Sequence, residues 1–196
     1  MKAKIALAVF VLAVVAQASW RSDATTAPIP TTPAKGILLG QSFMPVVVKL
    51  KKSGVNSVSE SGKVKDRAQN WILTFAGDAS FIPDQDLQIW INTDLGTSIS
   101  DRTFVMKPYA FGTDEARKQS YGSHQGSRVP RGVTSIFATV KPAGKQFVNE
   151  IFSDKFSLRL VFGKPSGGMI PGKIYATLPD KHKSFLAGTF RARIEK

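Results

Sequence analysis

Phe156-Ser157-Leu158-Arg159-Leu160-Val161-Phe162 is the stretch that decides the fold class. Phe156, Leu158, Leu160 and Phe162 fall at every second position, against Ser157, Arg159 and Val161. A strand sends alternate side chains to opposite faces, so this is the pattern of a strand with one buried side. The same period recurs along the chain. Phe43–Leu50 sets Val46, Val48 and Leu50 against Val47 and Lys49. Asn70–Ala76 aligns Trp71, Leu73 and Phe75, and Leu87, Ile89 and Ile91 oppose Gln88, Trp90 and Asn92. Thr134–Val140 groups Ile136, Ala138 and Val140; Leu186–Ile194 groups Phe190, Ala192 and Ile194. Ile174–Leu178 is a short run, and Val55–Ser61 and Thr103–Lys107 are weaker ones.

Breakers separate these runs, among them Ile82-Pro83-Asp84, the Gly163–Gly168 cluster and Leu178-Pro179-Asp180. Short alternating strands without a sustained helical period predict an all-β fold. The expected form is an antiparallel β-sandwich of about eight or nine strands, immunoglobulin-like or jelly-roll-like. A partly open β-barrel is the alternative. Thr113–Gln119, with a capping threonine and acids in its first turn, is a candidate short helix, and Gly144–Phe152 has room for one or two helical turns.

The N-terminus reads as an export signal over residues 1–18. Lys2 and Lys4 precede the uncharged apolar run Ile5–Val15, and Ala16-Gln17-Ala18 offers small residues for cleavage. The apolar run is short for a membrane span, which needs about 20 residues. Residues 19–35 are rich in threonine, alanine and proline and are expected to form a flexible leader. Residues 36–196 then make one β-sandwich domain, the default for a chain of this length.

The chain has no cysteine. An exported domain without disulfides must be held by its core or by a bound ion, which suits a bacterial periplasm or exterior. The formal charge is +13, or +11 once Lys2 and Lys4 leave with the signal. Such a surplus attracts polyanions or simply maintains solubility. Outside the cytoplasm it turns from nucleic acid towards acidic polysaccharide and other envelope components.

Residues 107–132 form the longest interval without a strand pattern, and long loops in compact domains are often functional. Tyr109, Phe111, Arg117, Lys118, Tyr121, His124, Arg128 and Arg131 lie within it, mixing aromatics and cations in a setting suited to a planar or anionic ligand. Lys49, Lys51, Lys52, Lys63, Lys65 and Arg67 make a second basic group, which an edge hairpin would display to discourage aggregation.

Catalytic patterns are absent. Lack of cysteine removes thiol chemistry and thiolate metal sites, and only His124 and His182 remain. No Gly-x-Ser-x-Gly elbow, phosphate loop or dinucleotide fingerprint occurs, and the Gly122–Ser127 run has different spacing. No cofactor is expected beyond a structural calcium ion held by some of Asp78, Asp84, Asp86, Asp94 and Asp101. The composition points to an exported, non-catalytic binding module for an acidic or saccharide ligand of the envelope. A structural or assembly protein working through protein–protein contacts, and an enzyme with a site of scattered residues, are the alternatives.

Overall fold

The alternating runs fall on strands in the computed structural model, which describes residues 24–108 and 128–195, except that Phe43–Leu50 is split: Phe43 ends one strand, Val47 begins the next, and Val46 between them is exposed. The strands are β1 (Lys35–Leu38), β2 (Gln41–Phe43), β3 (Val47–Glu60), β4 (Lys63–Ala76), β5 (Gln85–Asp94), β6 (Thr103–Met106), β7 (Gly132–Val140), β8 (Val148–Phe152), β9 (Ser157–Phe162), β10 (Met169–Thr177) and β11 (Phe185–Glu195). All eleven belong to one hydrogen-bonded sheet, ordered β6-β9-β10-β11-β3-β4-β5-β7-β8, with β1 joined to β11 and β2.

The fold is therefore all-β, as the alternation requires, but it differs from the expected sandwich in three respects. Among the described residues there are eleven strands in place of eight or nine, they share a single sheet, and one pair is parallel. That pair sets Arg193–Glu195 of β11 beside Lys49–Lys51 of β3. It joins the two ends of the domain, and alternation within either strand carries no trace of its partner's direction. The path ends at β6 and β8, which do not pair with each other, so no barrel is closed. Gly144–Phe152 holds no helix: Val148–Phe152 is the edge strand β8, paired to β7 from Val140 back to Ile136. The other candidate helix, Thr113–Gln119, lies outside the described residues, as do residues 1–18, the expected export signal. No helix of the described residues is long and apolar enough to cross a membrane.

The deciding stripe behaves as its pattern demands. Phe156, Leu158, Leu160 and Phe162 are all buried, and they share one core cluster with Leu50, Leu73, Phe75, Ile89, Ile136 and Phe190. The Phe190 ring meets Phe75 and Phe162 edge-on, at centroid distances of 5.1 and 6.0 Å. Gly172 stands opposite Phe190 in the ladder, and a Cβ there would strike the ring.

The leader is docked from Ala24 onward, where the sequence reading expects flexibility. Ala24 and Ala27 are buried against Tyr175 and Ala187. The Arg159 guanidinium donates to the Thr25 and Ala27 carbonyls. Thr189 N donates to Thr32 O at 2.8 Å, and Ala34 N donates to Thr189 O at 2.9 Å. Small alanines admit close approach, and β11 supplies the donor and acceptor that an extended strap needs. A second tie lies at the β10–β11 turn. Buried Ser184 accepts from Leu39 N at 2.7 Å and donates to Asp180 Oδ2 at 2.9 Å, fastening the β1–β2 turn to it.

Gly36 sits where β1 crosses Leu186, and a Cβ there would run into the Phe185 carbonyl. Gly36→Ala is expected to cost about 2–4 kcal/mol in urea denaturation, because facing backbones must separate. Gly62→Ala, at a turn with φ +77° and open space around it, is expected to cost only about 1 kcal/mol. Equal costs would show that β1 does not pack as described.

A candidate ligand cleft over Trp90 and Phe137

The outer face of β5 and β7 carries an aromatic pair. Trp90 and Phe137 alternate with the core residues Ile89, Ile91, Ile136 and Ala138, so they point away from the core. Their ring centroids lie 5.0 Å apart, with the planes tilted by 35°. Both are half-buried, and Trp90 Nε1 finds no hydrogen-bond partner among the described residues.

Two irregularities shape walls around this floor. The β3–β4 register breaks between Lys52 and Gly54, with Gly54 at φ +154°. A break of this kind bends the strand. Beyond it, Asn56 comes close enough to β5 for its Nδ2 to donate to Asn92 Oδ1 at 3.0 Å. The second break lies between β5 and β7, where the register slips from Trp90/Ser135 to Ile91/Val133. Thr134 is the extra residue, and its Oγ1 donates to Trp90 O at 3.3 Å. Between these features lies a cleft of ≈360 Å³, lined by Asn56, Ser57, Val58, Trp90, Asn92, Val129, Pro130, Thr134, Ser135 and Phe137.

A buried amide network underlies one side. Asn70 Nδ2 also donates to Asn92 Oδ1, at 3.1 Å, while Asn92 Nδ2 donates to Pro130 O at 3.0 Å. Gln69 Nε2 donates to the carbonyls of Gly54 and Asn70, and Trp71 Nε1 donates to Thr93 Oγ1 at 3.1 Å. Gln69, Asn70, Asn92 and Thr93 are buried polar residues, and each makes at least one side-chain hydrogen bond within this group of contacts.

Arg131 closes the assembly. Its Nε donates to Asp94 Oδ1 at 2.7 Å, and Nη1 and Nη2 donate to Asp66 Oδ2 and Oδ1, each at 3.0 Å. Nη1 also donates to Val129 O and Nη2 to Arg67 O. A guanidinium has five N–H groups, and all five are engaged within the chain. Val129 N adds a bond to Asp66 Oδ2 at 2.7 Å. The Arg131 hydrogen bond is the main reason the Asp66 carboxyl is lowered from 3.8 to about 2, and Arg131 is raised in return, chiefly through Asp66.

Of the residues expected to form a site in 107–132, only Arg128 and Arg131 are described; Tyr109, Phe111, Arg117, Lys118, Tyr121 and His124 lie outside the described residues. Arg128 is exposed, and Arg131 serves as an internal clamp. The described end of the segment, Val129 and Pro130, forms a wall of the cleft. Sequence reading placed Trp90 on a strand face and missed the cleft around it, because the bends that enclose it depend on register breaks.

Of the acids expected as calcium ligands, Asp78, Asp86 and Asp94 have other side-chain partners. Asp78 accepts from Ser80 N at 2.8 Å, Ser80 Oγ and Asp84 N at 3.0 Å, and its pKa is lowered, first by the Ser80 hydroxyl. Asp86 is buried, which raises its pKa despite the Gln88 amide. Among the described residues no three His, Cys, Asp or Glu side chains are placed to hold a metal ion. His182 is exposed in the β10–β11 turn, its N–H donating to Asp180.

Comparisons with protein-family models, with curated proteins and with solved structures match nothing to this chain.

The Asp66–Arg131 clamp gives a test by pH. A carboxyl with a depressed folded pKa adds stability above its unfolded value, and that contribution is lost as pH falls through the folded one. The wild type should therefore lose stability between pH 3.8 and about 2, while Asp66→Asn should lose less over the same window. Parallel slopes in chemical denaturation would show that the clamp is not formed in solution.

Proposed function

We propose that this chain is an exported, non-catalytic binding module of the bacterial periplasm or exterior, and that the Trp90 cleft holds a neutral saccharide. The observation that carries the reading is the lining: an aromatic floor ringed by amide and hydroxyl groups, with no ionisable side chain among its ten residues. Sugar rings present C–H faces that pack on aromatic surfaces, and hydroxyls that bond to fixed amides and hydroxyls at the rim. Asn56, Ser57, Thr134 and Ser135 supply such groups beside Trp90 and Phe137. An anionic sugar is the weaker half of the expectation, because Arg131 has no N–H left to offer.

Export rests on the signal pattern of residues 1–18 and on the absence of cysteine. The finer architecture also belongs to this proposal: the single sheet folds over into two layers. Buried residues of β4, β5 and β7 share one cluster with those of β9 and β10, though these strands are distant along the sheet.

Calorimetric titration with neutral and uronic-acid oligosaccharides tests the reading. A neutral oligosaccharide should bind, and Trp90→Ala should weaken it by roughly tenfold or more, as loss of a central aromatic anchor does. Arg128→Ala should change affinity by less than about twofold, and raising the salt should have little effect, since no ion pair is broken. Preference for the uronic acid, lost with salt and with Arg128→Ala, would contradict the proposal.

A further inference from the structure

The sheet has a gap. Strand β11 pairs with β1 over Phe185–Ala187 and with β3 only from Arg193 onward. Between them, among the described residues, a single bridge from Thr189 to Pro33 is the sole pairing on that side of the strand. Strand β3 likewise begins at Val47 but meets β11 only at Lys49. The two strands thus part before they pair, and the opening between them is a cleft of ≈680 Å³.

Its lining comes from both faces of the sheet. Phe162, Gly172 and Phe190 belong to the core-facing set, whereas Val161, Lys173, Thr189 and Arg191 alternate with it. Val48 and Phe162 supply apolar walls, and Val46, 64% exposed, stands at the mouth. The Phe190 ring lies directly over Gly172, where a Cβ would collide with it, and so forms part of the wall. Among the described residues Lys173 and Arg191 are the only ionisable residues of the lining, and no acid accompanies them. They are diagonal neighbours on one face, since Lys173 pairs with Thr189 and Arg191 with Pro171. Neither takes part in an ion pair among the described residues.

We propose that this cleft binds a free, single-chain aliphatic carboxylate, its tail between β11 and β3 and its head on Lys173 and Arg191. Apolar lining supplies the affinity for the tail, and the volume lies in the range of about 300–1,000 Å³ found for small-molecule sites. Two adjacent cations without an acid select a negative head, and a guanidinium matches the two oxygens of a carboxylate. The site is separate from the Trp90 cleft, with no lining residue in common.

The test is calorimetry on the purified chain with dodecanoate, 1-dodecanol, butyrate and vesicles of anionic phospholipid. Dodecanoate should bind at one saturable site, with dodecanol weaker by roughly tenfold for want of charge and butyrate undetectable for want of a tail. Lys173→Ala combined with Arg191→Ala, all exposed positions, should reduce dodecanoate affinity by roughly tenfold and leave the melting temperature unchanged. Val46→Asp, at the exposed mouth, should also abolish binding, while Trp90→Ala should leave it intact. The inference is overturned if dodecanoate does not bind the folded chain, if both cleft variants bind it as the wild type does, or if only vesicles bind.

Discussion

The Arg131 guanidinium is the interaction on which the outer face depends. It draws Asp66 of β4, Asp94 of β5 and the carbonyls of Val129 and Arg67 to one point. Three pieces of chain are thereby held together at the distal end of the β3–β4 hairpin: the hairpin itself, the end of β5 and the approach to β7. The hairpin's distal half is largely exposed and buries little apolar surface of its own. Hydrophobic burial therefore cannot hold it over Trp90. The β3–β4–β5 ladder and the Asn56–Asn92 bond hold it there, and the charge-assisted hydrogen bonds of Arg131, roughly twice as strong as neutral ones, reinforce them. Without cysteine, no covalent tie shares this task.

The core was legible because burial writes itself into alternation. Phe156–Phe162, Leu87–Ile91 and Ile136–Val140 show one buried face each, and the structure buries those faces. Strands β1 and β8 were missed for the same physical reason. Lys35-Gly36-Ile37-Leu38 buries one residue of four, and Val148–Phe152 is an edge strand with only Phe152 buried. Neither has an inner face for a period of two to mark. The docked strap of residues 24–34 was hidden as well. Alanine, threonine and proline look like linker composition, yet Ala24 is fully buried because a methyl group fits closely against Tyr175.

The site was less legible than the fold. Arg128 and Arg131 sit in one basic, glycine-rich segment, but only spatial neighbours distinguish an exposed cation from a saturated one. Asp66 and Asp94 lie 65 and 37 positions from Arg131, a separation that no local pattern bridges. Gln69, Asn70, Asn92 and Thr93 resemble solvent-facing strand residues, and they are buried with partners that only the fold supplies: Asn70 bonds Asn92 from β4 to β5, Trp71 bonds Thr93, and Gln69 reaches the Gly54 carbonyl on β3. The charge surplus likewise says little about the cleft, since none of it lines the space over Trp90. At this cleft the aromatic pair stands apart from the cations, and that separation is what the proposal of a neutral ligand rests on.

The central claim is that the Trp90 cleft is where a neutral sugar sits. The most direct measurement follows the indole N–H resonances by NMR during titration with a neutral oligosaccharide. Trp90 and Trp71 lie on opposite faces of the sheet, and Trp71 is tied to Thr93 Oγ1 behind the site. The account predicts that the Trp90 resonance moves with saturation, together with the amides of Asn56, Ser57 and Ser135, while Trp71 stays in place. A bound sugar that leaves Trp90 unmoved and shifts only residues elsewhere would contradict it.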